Sequence, residues 1–78
     1  MINKFAQRLR ETLQESGISQ SALARKIKMS QGIVNNYCTG KREPTLDVII
    51  LISKALNETT DFLLGVDEFQ FNCTDDKK

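Results

Sequence analysis

Along the first 65 positions the apolar residues recur at the three- and four-residue spacings of helices, interrupted at short intervals by residues that start or stop them. Phe5, Leu9 and Leu13 stand at i, i+4 and i+8, the stripe of a first helix expected to open after Asn3 as its cap. Gly17 suits the left-handed residue that ends such a helix, and Ile18 can then fold back onto it. A second helix should begin after Ser19. Ile18 before that cap and Leu23 four residues after it have the spacing of a hydrophobic staple, and Leu23, Ala24 and Ile27 make the inner face. The device repeats at Ser30, with Met29 before and Val34 after, and Gly40 closes the third helix. Two staples so close together predict a rigid helix pair. Pro44 cannot continue a helix, so Thr45 should cap a fourth one over Leu46–Leu56, with Asn57 as its C-terminal residue. Thr59 should cap a short fifth helix, with Asp61 in its first turn and Gly65 at its end.

The expected fold class is therefore all-α: five compact helices around one core, with no sheet in residues 3–65. The expected core is Phe5, Leu9, Leu13, Leu23, Ile27, Val34, Tyr37, Leu46, Ile49, Ile50, Ile52, Leu56 and Leu63. Residues 66–78 form a tail in which Phe69, Phe71 and Cys73 alternate with polar neighbours, compatible with a short strand or a loose end.

Size narrows the choice of function. Seventy-eight residues make one domain, with little room for an enclosed substrate cavity beside a core. No apolar run approaches the ~20 residues that span a bilayer, and Met1-Ile2-Asn3-Lys4 does not open a signal peptide, so a cytoplasmic location is expected. The chain has two cysteines, Cys38 and Cys73, and no histidine. That makes neither a disulfide framework nor a usual zinc site, and two free thiols, no metal and no cofactor are expected.

A net charge of +1 says little, but its distribution says more. Residues 1–65 carry nine Lys/Arg against six Asp/Glu, whereas residues 66–78 carry two against four. Between Glu15 and Glu43 there is no acid, and Arg25, Lys26, Lys28, Lys41 and Arg42 all fall there. A basic window of this kind is what a phosphate-facing surface requires, although a solvated face without a partner would also show it.

The third helix carries the sharper signal. At about 100° per residue, Gln31, Gly32, Asn35, Asn36 and Thr39 share one arc, while Ile33, Val34, Tyr37 and Cys38 turn the other way. An ordinary solvated face would carry Glu and Lys. Amides instead offer a donor beside an acceptor, the complement of adenine in the major groove, and Gly32 would let the backbone come close to DNA.

The run Ser19-Gln20-Ser21-Ala22-Leu23-Ala24-Arg25-Lys26-Ile27, then Met29-Ser30-Gln31-Gly32-Ile33-Val34, Tyr37 and Gly40-Lys41-Arg42, resembles the Cro/repressor-type (lambda-repressor-like) helix-turn-helix family. Pro44-Thr45-Leu46, Ala55-Leu56 and Asp61-Phe62-Leu63-Leu64-Gly65 are similar to that family's fourth and fifth helices. The resemblance covers about residues 3 to 65. It implies sequence-specific binding of double-stranded DNA by a small transcriptional regulator, and not an enzyme. Gln31, Gly32, Asn35 and Asn36 would read bases. Ser19, Gln20, Ser30, Thr39, Lys41 and Arg42 would hold phosphates, and Ala24 would sit where the two helices cross. Two positions depart from the family. Lys28 stands at a turn residue often held by glycine, at a cost of ~1 kcal/mol if φ is positive, and Gly32 gives up one reading side chain.

A homodimer on a (pseudo)palindromic operator is expected, with recognition helices ~34 Å apart. Val48 and Leu51 lie off the inner stripe of the fourth helix, and with Phe69 and Phe71 they are the candidate interface. With only thirteen residues after the fifth helix, no small-molecule effector is expected. The alternative function is a protein-interaction module of the same fold.

Overall fold

A computed structural model describes residues 4–66, and these form five helices: α1 (Phe5–Ser16), α2 (Gln20–Ile27), α3 (Gln31–Thr39), α4 (Leu46–Leu56) and α5 (Thr60–Leu64). Local chemistry sets each boundary. The hydroxyls of Ser19, Ser30, Thr45 and Thr59 accept from the backbone N–H groups of Ala22, Ile33, Val48 and Phe62, at 3.1, 3.2, 3.3 and 3.0 Å. Each such cap satisfies an orphan donor and stabilises its helix by ~1 kcal/mol. The ends are equally regular: Gly17, Lys28, Gly40, Asn57 and Gly65 are all left-handed. Beyond Gly17 the Ile18 N–H returns to the Leu13 carbonyl, and beyond Lys28 the Met29 N–H returns to that of Ala24. Lys28 adopts φ 60°, the strained turn expected of it.

The first helix starts later than expected. Its N-cap is Lys4, whose side chain makes no capping bond; Asn3 lies outside the described residues. Tertiary contact takes the place of a cap, because the Lys4 N–H donates to the Leu64 carbonyl at the end of α5. The crossing is tight enough that a Cβ on Gly65 would come within 3.0 Å of the Lys4 Cβ, and Gly65 also has a positive φ.

The core comprises Phe5, Leu9 and Leu13 of α1, Leu23, Ala24 and Ile27 of α2, Val34, Tyr37 and Cys38 of α3, Ile49, Ile52 and Leu56 of α4, and Leu63 of α5. Phe5 and Tyr37 meet edge to face, with ring centroids 6.5 Å apart, locking α1 to α3. Two expected core residues are not in it: Leu46 is 68% exposed and Ile50 38%. The helix carrying them is apolar nearly all round, so periodicity alone could not select its inner face. Packing against α2 and α5 selects Ile49, Ile52, Ser53 and Leu56, and turns Leu46 and Ile50 outward. Helix α3 packs on α1 and α2 and leaves its remaining face to solvent.

Arg8 is a buried cation that periodicity did not reveal. It donates to the Phe62 carbonyl at 3.1 Å and stacks over the Phe62 ring at 4.5 Å, joining α1 to the end of α5. The carbonyl end of a helix and an aromatic face both attract a guanidinium, which offsets its desolvation.

Candidate nucleic-acid interface

Helices α2 and α3, joined through Lys28-Met29-Ser30, present their N-termini and the polar face of α3 together. Gln20 and Gln31 are the first residues of the two helices, so both amides stand where helix dipoles are positive and backbone N–H groups are unpaired. Gln31, Gly32 and Asn35 are exposed, while Gln20 and Asn36 are half-buried. Val34, Tyr37 and Cys38 are buried on the opposite side and Ile33 is half-buried, as the helical wheel requires.

Nothing within the domain demands a glycine at position 32. Its φ is not in the left-handed region, and a Cβ built there meets no atom within 4 Å. The residue is small for a reason lying outside the chain, or for none.

Asn35 and Gln20 are brought together, a contact sequence reasoning missed. The Asn35 side-chain N–H donates to the Gln20 side-chain oxygen at 3.2 Å. The bond crosses from α3 to α2 over fifteen residues, and no local pattern signals it. It leaves the Gln20 amide N–H₂ free to donate outward and engages one donor of Asn35. Ser19 and Ser30 accept helix N–H groups through oxygen, which leaves the Ser30 hydroxyl proton available to an acceptor such as phosphate, and that of Ser19 too where Ser21 is the donor between them. Ser19 also lies 3.4 Å from the Ser21 hydroxyl. Thr39 differs: its hydroxyl donates to the carbonyls of Asn35 and Asn36, at 3.0 and 3.3 Å. With that proton engaged, the Thr39 oxygen retains only its accepting capacity, which suits an incoming donor better than a phosphate.

The basic turn is pinned beside this face. The N–H groups of Lys41 and Arg42 both donate to the Asn36 carbonyl, at 3.0 and 3.3 Å, and both side chains are exposed. Arg10 of α1 reinforces the same end, donating to the Cys38 carbonyl at 2.6 Å. It too escaped the sequence reading, because its partner is a backbone atom twenty-eight residues away. The Cys38 thiol is free and buried; burial pushes its pKa up, opposed by the nearby Arg10 charge. Cys73 lies outside the described residues, as do Phe69 and Phe71 of the candidate dimer interface. Of the other two, Leu51 is 46% exposed, whereas Val48 is half-buried against the core. Among the described residues no cluster of His, Cys, Asp or Glu could hold a metal, and no helix is long and apolar enough to cross a membrane.

Two capped helices packed on each other, a tight left-handed turn between them and a polar outward face on the second helix define a helix-turn-helix protein. The helix-turn-helix family model matches residues 9–63, and the chain belongs to that family. It is 36% identical over 64 residues to the HTH-type transcriptional regulator ImmR of Bacillus subtilis (strain 168), a match covering 82% of this chain and 50% of that protein. The chain thus spans about half the length of the curated relative it matches. Among solved structures, it is similar to the restriction-modification controller protein C.AhdI from Aeromonas hydrophila, with 33% identity, a TM-score of 0.73, and 77% and 91% of the two chains covered. It is also similar to the DNA-binding domain of the P22 C2 repressor, with 28% identity, a TM-score of 0.75, and 87% and 90% covered. The all-helical, repressor-like fold expected from the residues is the fold found.

Proposed function

We propose that this chain is a sequence-specific binder of double-stranded DNA that acts as a small transcriptional repressor, with α3 in the major groove. The observation that carries this reading is the outward face of α3, where uncharged amides surround a glycine that the fold does not need. A face of that composition loses solubility and gains nothing unless hydrogen-bonding groups of a partner meet it. Gln31, at the helix end entering the groove first, and Asn36, further along the arc, read base edges. Gly32 admits close approach of the duplex. Asn35 acts together with Gln20, whose outward N–H₂ meets a phosphate. Ser19, Ser30, Lys41 and Arg42 complete the backbone grip, and Thr39 accepts from a neighbouring donor. The protein works in the cytoplasm as a homodimer on a (pseudo)palindromic operator, without a cofactor or catalysis.

Selection of bound sites from a random duplex library tests the reading. The expected result is a two-fold symmetric consensus whose half-sites each contain a strongly preferred A·T pair. No mobility shift on any duplex at low salt overturns it, because even non-specific binding appears there. In that event the same fold serves as a protein-interaction module.

A further inference from the structure

We infer that the exposed face of α4 is a two-fold contact with a second copy of this chain, in which the two α4 helices run antiparallel and Asp47 of each pairs with Lys54 of the other. The inference rests on the homodimer in the functional reading, and names the surface and register that would make it. Three aliphatic side chains of α4 point to solvent: Leu46, Ile50 and Leu51 are 68%, 38% and 46% exposed. On a helical wheel at about 100° per residue, Ile50 and Leu51 stand about 50° to either side of a line through Asp47 and Lys54, and Leu46 lies further round, about 90° from it. Ile50 and Leu51 therefore border a single seam with one acid at its N-terminal end and one base at its C-terminal end.

Asp47 and Lys54 are two helical turns apart, about 10.5 Å along the axis, too far to neutralise each other within one helix. An antiparallel copy changes this. With the two-fold axis passing between Ile50 and Leu51, Asp47 of each chain is level with Lys54 of the other, so two opposite-charge pairs form at once. A parallel copy would set Asp47 against Asp47 and Lys54 against Lys54, which is repulsive at both ends. The same register brings Ile50 and Leu51 of both chains to the axis, where their exposed area is removed from water.

A second feature agrees with this arrangement. Beside Leu51 lies an open groove of about 330 Å³ between α2 and α4, lined by Lys26, Ile27, Leu51, Lys54 and Ala55. Its only charged lining residues are two lysines, and the antiparallel register carries the partner's Asp47 to its mouth beside Lys54. Contact through α4 also leaves α3 unobstructed, because α4 packs on α2 and α5 whereas α3 packs on α1 and α2.

Sedimentation of the full chain, with folding checked by circular dichroism, tests the register. The wild type is expected to dimerise reversibly. Asp47→Lys turns both pairs into like charges, as does Lys54→Asp, and each should weaken the dimer about tenfold or more. Because Asp47→Lys also opposes the α4 dipole, the deciding measurement is an equimolar mixture of the two variants. Chains all positive at these sites and chains all negative should form a heterodimer tighter than either homodimer, and the double variant D47K/K54D should dimerise nearly as the wild type does. A wild-type dimer that neither reversal weakens overturns the α4 register and leaves the homodimer standing on another surface. A wild type that is monomeric at every concentration overturns the dimer itself. Mobility shift on a single half-site judges DNA binding separately, since a monomer that binds DNA retains it.

Discussion

The outward faces of α3 and α4 both break the habit of a solvated helix, and they break it in opposite ways. On α3 the exposed positions are amides, a glycine and a threonine, all able to exchange hydrogen bonds or admit a backbone. On α4 they are leucine and isoleucine around a single Asp–Lys line. The first composition suits a partner that remains polar and partly hydrated, as base edges do. The second gains only when water leaves. Two different surface chemistries are thus separated on one small domain, each on a helix whose opposite side is held in the common core.

That separation can be broken or sharpened by substitution. The largest effect should come from removing the shared support. Leu23 is fully buried in α2, between the two faces, and Leu23→Ala should destabilise the fold by ~2–5 kcal/mol. Thermal unfolding would then report simultaneous loss of DNA binding and self-association. Retention of either above the unfolding transition would mean the faces do not share one core.

A cut confined to α3 should be smaller and selective. Gln31→Ala or Asn36→Ala should each cost ~1–3 kcal/mol on the preferred operator and much less on unrelated DNA, with self-association unchanged. Titration of operators varied one base pair at a time checks this. Unchanged preference at every position would assign specificity to groove shape rather than to these amides.

Lys41→Ala should weaken binding to all sequences alike and reduce the salt dependence by about one unit per subunit. A loss seen only on the specific operator would move Lys41 from the backbone grip to the base-reading set.

Removing the α3 cap by Ser30→Ala should lower stability by ~1 kcal/mol in denaturant unfolding, because Ile33 loses its acceptor. DNA affinity should fall further than stability does if the serine hydroxyl also meets a phosphate.

The smallest effect is the most discriminating. Gly32→Ala introduces a Cβ into open space on a helix, so stability should rise by ~0.5–1 kcal/mol. If the duplex approaches this backbone, operator affinity falls while the melting temperature rises. Equal or tighter DNA binding would show that Gly32 is not a contact position.

Local features were legible before any tertiary contact was known. The caps at Ser19, Ser30, Thr45 and Thr59 and the left-handed residues at Gly17, Gly40, Asn57 and Gly65 each depend on a few neighbouring residues, so reading them in order locates the helices, whereas the left-handed Lys28 was expected only from the family resemblance. The start of α1 was not legible to the same accuracy, since Lys4 is held by Leu64 of α5 and not by a side-chain cap. The polar arc of α3 was visible for a related reason. It is flanked by an unambiguous apolar side, Val34, Tyr37 and Cys38, so its periodicity has one solution.

Where a helix is apolar on several sides, periodicity has more than one solution and the tertiary structure decides. Leu46 and Ile50 match a core stripe as well as Ile49 and Ile52 do; only the positions of α2 and α5 determine which pair meets them. The tertiary structure also decided the bonds between side chains and distant groups: Asn35 to Gln20, Arg10 to the Cys38 carbonyl and Arg8 to the Phe62 carbonyl. An amide or guanidinium has the same local chemistry whether its partner is water or a carbonyl far along the chain. The sequence by itself determined the five helices, their stops and the face of α3, because those follow from interactions within a few residues. Packing determined which face of α4 remains exposed and which polar groups stay free to meet another molecule, because those depend on atoms that only the fold brings within reach.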